Sequence, residues 1–313
     1  MKRVLALVLC FGVWGPAAAG ARPSPAGLSP QEVRRMMELQ ERLCGIRELN
    51  CAYVIALFAD PRLRIYYPPA PQHQESNPSQ REKERNPFLT TRFGLLTDQS
   101  LERCRGFLRV HAAAFDAAYR TYGVPPKVIC GILRIETNFG IPTRLSPNPV
   151  GTIPAINRLA TLYVRPLPSE KLSQHFVRWQ QFALYQLKEL LKASTKFGWD
   201  LFQIPGSLTG AIGLAQFEPS SLRVAIDGNG DGKIDLFDPA DAILSIANYL
   251  VTRGWDREPM HQQRAIYAYY GGNYALDQHK YYMRAVLKYA DEFDEYAKSH
   301  MLERETASTP GTL

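Results

Sequence analysis

The sequence predicts a mainly α-helical protein. Apolar residues recur at helical spacing along most of the chain, while no stretch alternates apolar with polar as a half-buried strand would. Capping residues and prolines also stand where helices should begin. With 313 residues, 45% hydrophobic and 21% charged, the chain is long and apolar enough to bury a full core, which excludes a disordered protein.

The chain opens with Lys2 and Arg3, an apolar run from Val4 to Val13, and small residues at Ala17, Ala18 and Ala19. This reads as an export signal over residues 1–19, too short to span a bilayer, so the mature protein is expected to be periplasmic without a transmembrane anchor. The formal charge is +7; without Lys2 and Arg3, 35 basic residues face 30 acidic ones, a balance of +5. That mild excess is spread along the chain. It suits a polyanionic polymer and gives no footing for nucleic acid.

A helical N-terminal region is expected over 28–67. Ser29 offers a cap with Glu32 three residues on, and the helical character continues to Phe58. A polar, proline-rich run then predicts a mobile linker over 68–90. Beyond it a helical domain is expected over 91–298, followed by a disordered tail over 299–313. Its first helix runs from Asp98 through Phe107, His111 and Phe115 to Tyr122. Pro142 to Pro154 predicts a loop, and further helices are expected at about 155–163 and 169–196. With Cys10 in the leader, Cys44, Cys51, Cys104 and Cys130 permit two disulfides in three connectivities. Cys44 and Cys51 pair only if the chain turns at Gly45 or Asn50, and Cys130 serves equally as a small buried hydrophobe.

Everything is organised around Gly123 to Gly140. Pro125 and Pro126 suit a first helical turn, and Gly140 suits the position past a helix end. Between them Ile129, Ile132, Leu133 and Glu136 fall on one stripe, so a carboxyl stands where the core should be. Burial and the negative helix end both keep such a carboxyl protonated, which is what a general acid needs. The bland alternative is an ion pair with Arg134 or Arg144.

Three further stretches carry chemistry. Gly206 to Ser221 is rich in glycine and hydroxyls, with Ser207 and Gln216 able to bond hydroxyl and acetamido groups. Asp227, Asn229, Asp231, Asp235 and Asp238 occupy positions one, three, five, nine and twelve of an EF-hand-like calcium loop, with Gly232 at six and the Lys233 carbonyl at seven. One structural calcium ion is expected there. Asp238 departs from the usual long glutamate. Tyr267 to Tyr282 holds six tyrosines in sixteen residues, flat faces apt for stacking on sugars or for packing helices.

Tyr-Gly-Val-Pro-Pro, Ile-Glu-Thr-Asn-Phe-Gly, Gly-Ser-x-x-Gly-Ala-Ile-Gly-x-x-Gln-Phe-x-Pro-Ser-Ser, the calcium loop, Asp-Pro-Ala-Asp-Ala-Ile and Arg-Gly-Trp follow one another in order. From about Thr97 to Tyr289 the chain resembles the lytic murein transglycosylase B family. The resemblance implies a lysozyme-like catalytic domain acting on peptidoglycan glycan strands, with cell-wall protein partners and no organic cofactor. It implies Glu136 as sole acid and base, cleaving between N-acetylmuramic acid and N-acetylglucosamine to leave a 1,6-anhydro end, with Ser207 and Gln216 holding the sugar. Phe139 replaces a family tryptophan. Glu218 stands where the family has methionine, bringing a second acid near the site and with it a hydrolytic alternative. Tyr270 follows Tyr269 where the family has asparagine, which Asn273 is placed to replace. A non-catalytic wall-binding protein on the same fold is the other alternative.

Overall fold

The computed structural model describes residues 27–66, 86–91, 93–143, 146–165, 172–271 and 280–307. The expected leader, Arg144, Asn273 and most of the proline-rich linker lie outside these residues.

Helix α1 (Pro30–Cys44) begins at the expected capping box, with Ser29 Oγ accepting from Glu32 N and Glu32 Oε2 from Ser29 N. The helical run to Phe58 is broken by a turn, after which Asn50 caps α2 (Cys51–Ala59). This turn is what lets Cys44 and Cys51 meet, and they form a disulfide. A 3-10 turn, Pro87–Leu89, follows. Phe88 is buried there against Phe93 and Tyr282, so the end of the expected linker belongs to the core.

The single helix expected from Asp98 to Tyr122 is two, α3 (Asp98–Val110) and α4 (Ala112–Tyr122). The break is at His111, whose φ of −110° and ψ of 30° leave the helical region while its ring lies 4.4 Å from Phe107. Gly123, at φ +67°, closes α4 and leads into α5 (Pro126–Thr137), the Glu136 helix.

After the loop come β1 (Ile153–Pro154), α6 (Ala155–Val164), α7 (Leu172–Phe197) and β2 (Pro205–Gly206). A second 3-10 turn, Pro219–Val224, precedes α8 (Pro239–Thr252), α9 (Pro259–Tyr269) and α10 (Tyr281–Ala307). Residues 299–307, expected in a disordered tail, continue α10.

The core is built around α5, in which Val128 to Ile135 are all buried. Helix α10 packs along it, with α3, α4 and α8 around the same axis. Gly131 is the closest approach: a Cβ there would stand 3.1 Å from the Val286 carbonyl. On the other side α7 packs on α6, and α1 on α6. Burying each large apolar side chain contributes about 1.5–3 kcal/mol, which holds α5 in place despite the charged residues at its end. Strands β1 and β2 pair antiparallel, Ile153 opposite Gly206, and bridges Gly206–Ile212 and Ile212–Phe217 extend the ladder to the loop carrying Gln216. Among the described residues no helix is long and apolar enough to cross a membrane.

Candidate active site

Helix α5 ends at Thr137, three residues before the glycine expected to close it. Asn138, Phe139 and Gly140 then all take left-handed backbone, with φ of 54°, 60° and 75°. That conformation is strained for an aromatic residue and is retained where the surroundings over-determine it. Here the surroundings are specific. Asn138 Oδ1 accepts from Arg103 at 3.0 Å, its Nδ2 donates to the Ile141 carbonyl, and Phe139 packs 5.1 Å from Phe107. A Cβ on Gly140 would stand 2.7 Å from Leu214 Cδ2, so only glycine lets this turn lie on the Leu214 segment.

Thr137 Oγ1 donates to the Leu214 carbonyl at 2.8 Å, and Tyr269 Oη donates to the Ala215 carbonyl at 2.6 Å. The glycine-rich loop is thereby pinned beside the end of α5. Gln216, at φ +48°, turns its amide onto the Gly213 carbonyl at 2.9 Å. Ser207 Oγ accepts from the backbone N–H of Thr209 and Ala211. The ladder from Gly206 through Ile212 to Phe217 links the two residues to the same wall.

The Glu136 carboxyl is raised from 4.5 to about 7, chiefly because burial penalises its charged form, against an opposing hydrogen bond from Tyr282. Tyr282 Oη donates to Glu136 Oε1 at 2.6 Å, and among the described residues this is the hydrogen bond to that carboxyl. The ring of Tyr282 stacks between Tyr269, at 6.3 Å, and Tyr270, at 5.1 Å. The neighbouring Tyr269 hydroxyl is pushed up by its own burial and then by the Glu136 charge. Neither arginine of the bland alternative is seen against Glu136. Arg134 is buried and turned the other way, onto Ser100 Oγ and the Phe93 and Gly94 carbonyls, and Arg144 is outside the described residues.

The remaining candidates divide. Phe139 is 5% exposed, so it supports the turn from beneath and offers no open face to a sugar. The Glu218 carboxylate accepts from Gln186 Nε2 of α7 at 3.2 Å. Tyr269 and Tyr270 stand beside Glu136 through Tyr282. Tyr282 itself, Thr137 and the left-handed turn are the parts that sequence reasoning missed; the dense tyrosine run was the available signal for the first.

In the loop from Asp227 to Asp238, side-chain oxygens fold onto the loop's own amides. Asp227 accepts from Gly230 and Gly232, Asn229 from Asp231, Asp231 from Lys233, and Asp235 from Phe237. Asp238 caps α8, accepting from Ala240 and Asp241. Asp241, fully buried, braces the loop by accepting from Gly228, Asn229 and Asp235. The all-oxygen donor set fits a hard cation. Among the described residues no group of three or more His, Cys, Asp or Glu is gathered closely enough to hold a metal by side chains of those types alone.

The Glu136 carboxyl, raised to about 7, thus stands at the end of the helix against which the glycine-rich loop is pinned. The family model described as Transglycosylase SLT domain matches residues 38–305. The chain belongs to this family.

As an SLT-domain protein it has recognisable relatives. It is 32% identical over 169 residues, 54% of its length, to the membrane-bound lytic murein transglycosylase B of Escherichia coli K12. The match spans 42% of that relative's length. Among solved structures it is similar to the soluble lytic transglycosylase SltB1 of Pseudomonas aeruginosa, with TM-score 0.63 and 22% identity over 84% of this chain and 99% of that one. It is similar to the Escherichia coli SLT35 complex with calcium, with TM-score 0.57 and 20% identity over 91% and 97%. A third likeness is SltB3 of P. aeruginosa bound to NAG-anhNAM-pentapeptide, with TM-score 0.63 and 22% identity over 86% and 80%. These likenesses bear out the expected lysozyme-like helical fold.

The Tyr282 bond has a measurable consequence. Tyr282→Phe removes the interaction that favours the Glu136 carboxylate, so the carboxyl should stay protonated to higher pH. A bond to a charged acceptor is worth about 1.5–3 kcal/mol, so the alkaline limb of a pH–rate profile should move up by about one to two units.

Proposed function

We propose that this SLT-domain chain is an exported lytic transglycosylase that cleaves peptidoglycan between N-acetylmuramic acid and N-acetylglucosamine, with Glu136 as its only acid and base. The observation that carries this reading is the Glu136 carboxyl held at about 7 by burial, where it is still substantially protonated near neutral pH. In this scheme the protonated carboxyl gives its proton to the glycosidic oxygen as the bond breaks. The resulting carboxylate then takes the proton of the muramic C6 hydroxyl, whose oxygen closes on the anomeric carbon to form a 1,6-anhydro ring. No water is consumed. Ordinary glycosidases use two carboxylates because their nucleophile or its activator comes from the protein; here the substrate supplies the nucleophile.

Family membership and the names of the relatives support the activity, and the SltB3 complex with an anhydro-muramic fragment supports the product. Ser207 and Gln216 are assigned to the sugar beside the acid, and Tyr269, Tyr270, Asn273 and Glu218 to contact with the substrate. The Cys44–Cys51 disulfide supports an oxidising compartment, as the periplasm is. Digestion of cell-wall sacculi and analysis of the fragments tests the proposal. Anhydro-muramic ends are expected; reducing ends would establish hydrolysis, and sacculi bound without soluble fragments would establish a wall-binding protein.

The loop Asp227–Asp238 is assigned one structural calcium, held by Asp227, Asn229, Asp231, Asp235, Asp238 and the Lys233 carbonyl, and the SLT35 calcium complex supports this. The ion would neutralise carboxylates that otherwise repel one another. At a calcium concentration of about 100 times Kd, binding adds about 2.7 kcal/mol to stability. A melting curve should rise by several degrees with calcium and fall back with a chelator, and Asp231→Ala should abolish the rise.

A further inference from the structure

We propose that the segment from Asn86 to Thr90, with Phe93 and Gly94 beyond it, is a positioning strap for the Glu136 acid, tying the helix that carries the carboxyl to the helix that carries the Tyr282 hydroxyl. By sequence the segment is only the end of a polar, proline-rich run. Its geometry is that of a brace. Asn86 uses both ends of its amide: Oδ1 accepts from Phe88 N at 3.1 Å and starts the 3-10 turn, while Nδ2 donates at 2.9 Å to the carbonyl of Tyr281, the first residue of α10. Thr90 closes the turn, its Oγ1 donating to the Pro87 carbonyl at 2.9 Å. Phe88, 1% exposed, lies between these bonds and meets the rings of Tyr282 at 5.8 Å, Tyr270 at 6.4 Å and Phe93 at 5.5 Å. At the far end Arg134 of α5 donates through Nη2 to the Phe93 and Gly94 carbonyls, at 3.1 and 2.9 Å, and its guanidinium lies over the Phe93 ring.

Two helices therefore grip the strap, each within two residues of the acid pair. Tyr281 adjoins Tyr282 on α10, and Arg134 stands two residues before Glu136 on α5. The 2.6 Å bond from Tyr282 to Glu136 spans the same two helices, so its length depends on how they are held relative to one another. The rings of Tyr269 and Tyr270 lie nearly parallel to that of Tyr282, whereas Phe88 is set across it at 83° and holds it from a second direction. Among the described residues the titratable groups facing Glu136 are the phenols of Tyr282 on α10 and Tyr269 on α9, while Arg134 turns to Ser100 and the strap. Asn86 to Thr90 carry no charge, so their effect on the carboxyl runs through the place of Tyr282.

The catalytic meaning of the strap rests on the reading of Glu136 as the acid, and a direct titration of the carboxyl, made without substrate, separates the two. The full chain, labelled with carbon-13 at the glutamate carboxyls, would be titrated by NMR, the Glu136 signal being the one lost in Glu136→Gln. Phe88→Leu keeps an apolar side chain and removes the ring that meets Tyr282. Asn86→Ser is the second variant: it leaves a capping hydroxyl for Phe88 N, is too short to reach the Tyr281 carbonyl, and takes nothing from the core.

Because the Tyr282 bond favours the carboxylate, loosening it should move the Glu136 midpoint up in both variants, by about half a unit or more and short of the one to two units expected for Tyr282→Phe. In the Tyr282→Phe background neither strap variant should move it further. A midpoint unchanged or lowered in either folded variant, or an equal shift in the Tyr282→Phe background, would overturn the strap. Digestion of sacculi keeps the two readings apart. A parent chain that releases no fragments while the midpoints shift would remove the proposed activity and leave the strap standing. A parent that digests sacculi while the midpoints stay fixed would remove the strap and leave the activity.

Discussion

Glu136→Gln is expected to lower the release of soluble wall fragments by about 10²- to 10⁴-fold, the usual contribution of a positioned general acid. The variant keeps the shape and polarity of the side chain and its contact with Tyr282, so the loss reports proton transfer and not misfolding. It should also be the more stable protein at alkaline pH. The carboxyl is raised from 4.5 to about 7 on folding. The folded state thus binds its proton more tightly than the unfolded state does, and this contribution is complete below pH 4.5 and lost as pH rises to about 7. Above that, the native protein carries a partly buried carboxylate at a cost on the order of 3 kcal/mol, at 1.36 kcal/mol per unit. Glutamine does not titrate. The difference in melting temperature between variant and parent should therefore widen from pH 4.5 to 7 and stay constant above. A difference independent of pH would mean that Glu136 is not desolvated, and the acid role would lose its basis.

Gly213→Ala is expected to be strongly disruptive. Gly213 takes φ +76°, and a Cβ there would lie 2.3 Å from the Leu236 carbonyl oxygen, a backbone atom that cannot swing aside. That same carbonyl accepts from Leu214 N at 2.9 Å, and the Leu214 carbonyl accepts from Thr137. The methyl group would break the two-bond connection running from the proposed cation loop to the residue beside Glu136. A destabilisation of about 3 kcal/mol or more is expected, from overpacking added to left-handed strain. Gly230→Ala is the control: at φ +77° it carries the same strain but has nothing within 4 Å, and should cost about 1–2 kcal/mol. Denaturant unfolding of both variants measures the difference. Equal losses would show that the contact with Leu236 is not close.

Several parts of the site were legible because their causes are local. The apolar stripe of α5 fixes which face is buried, and Glu136 lies on it whatever packs against that face. The capping box at Ser29 and Glu32 reads directly, and helices starting at Asp98 and covering about 169–196 are announced by spacing. Other features were misread because local pattern was outweighed. The stripe from Leu101 to Phe115 is continuous through His111, yet the chain bends where that ring packs on Phe107. Phe88 sits next to a polar run, yet the aromatic cluster of Phe93 and Tyr282 draws it into the core.

By itself, the sequence determined that this protein is helical, that one carboxyl falls on a buried helix face, and that a glycine-rich loop and an acidic loop follow it. Those facts depend on spacing along the chain. Only the tertiary structure decided that the hydroxyl meeting Glu136 belongs to Tyr282, 146 residues away, and that Thr137 and Tyr269 hold the Leu214–Gln216 segment against the end of α5. The physical reason is that a carboxyl's proton affinity is set by what displaces water around it, and here that cover comes from distant helices brought together by folding.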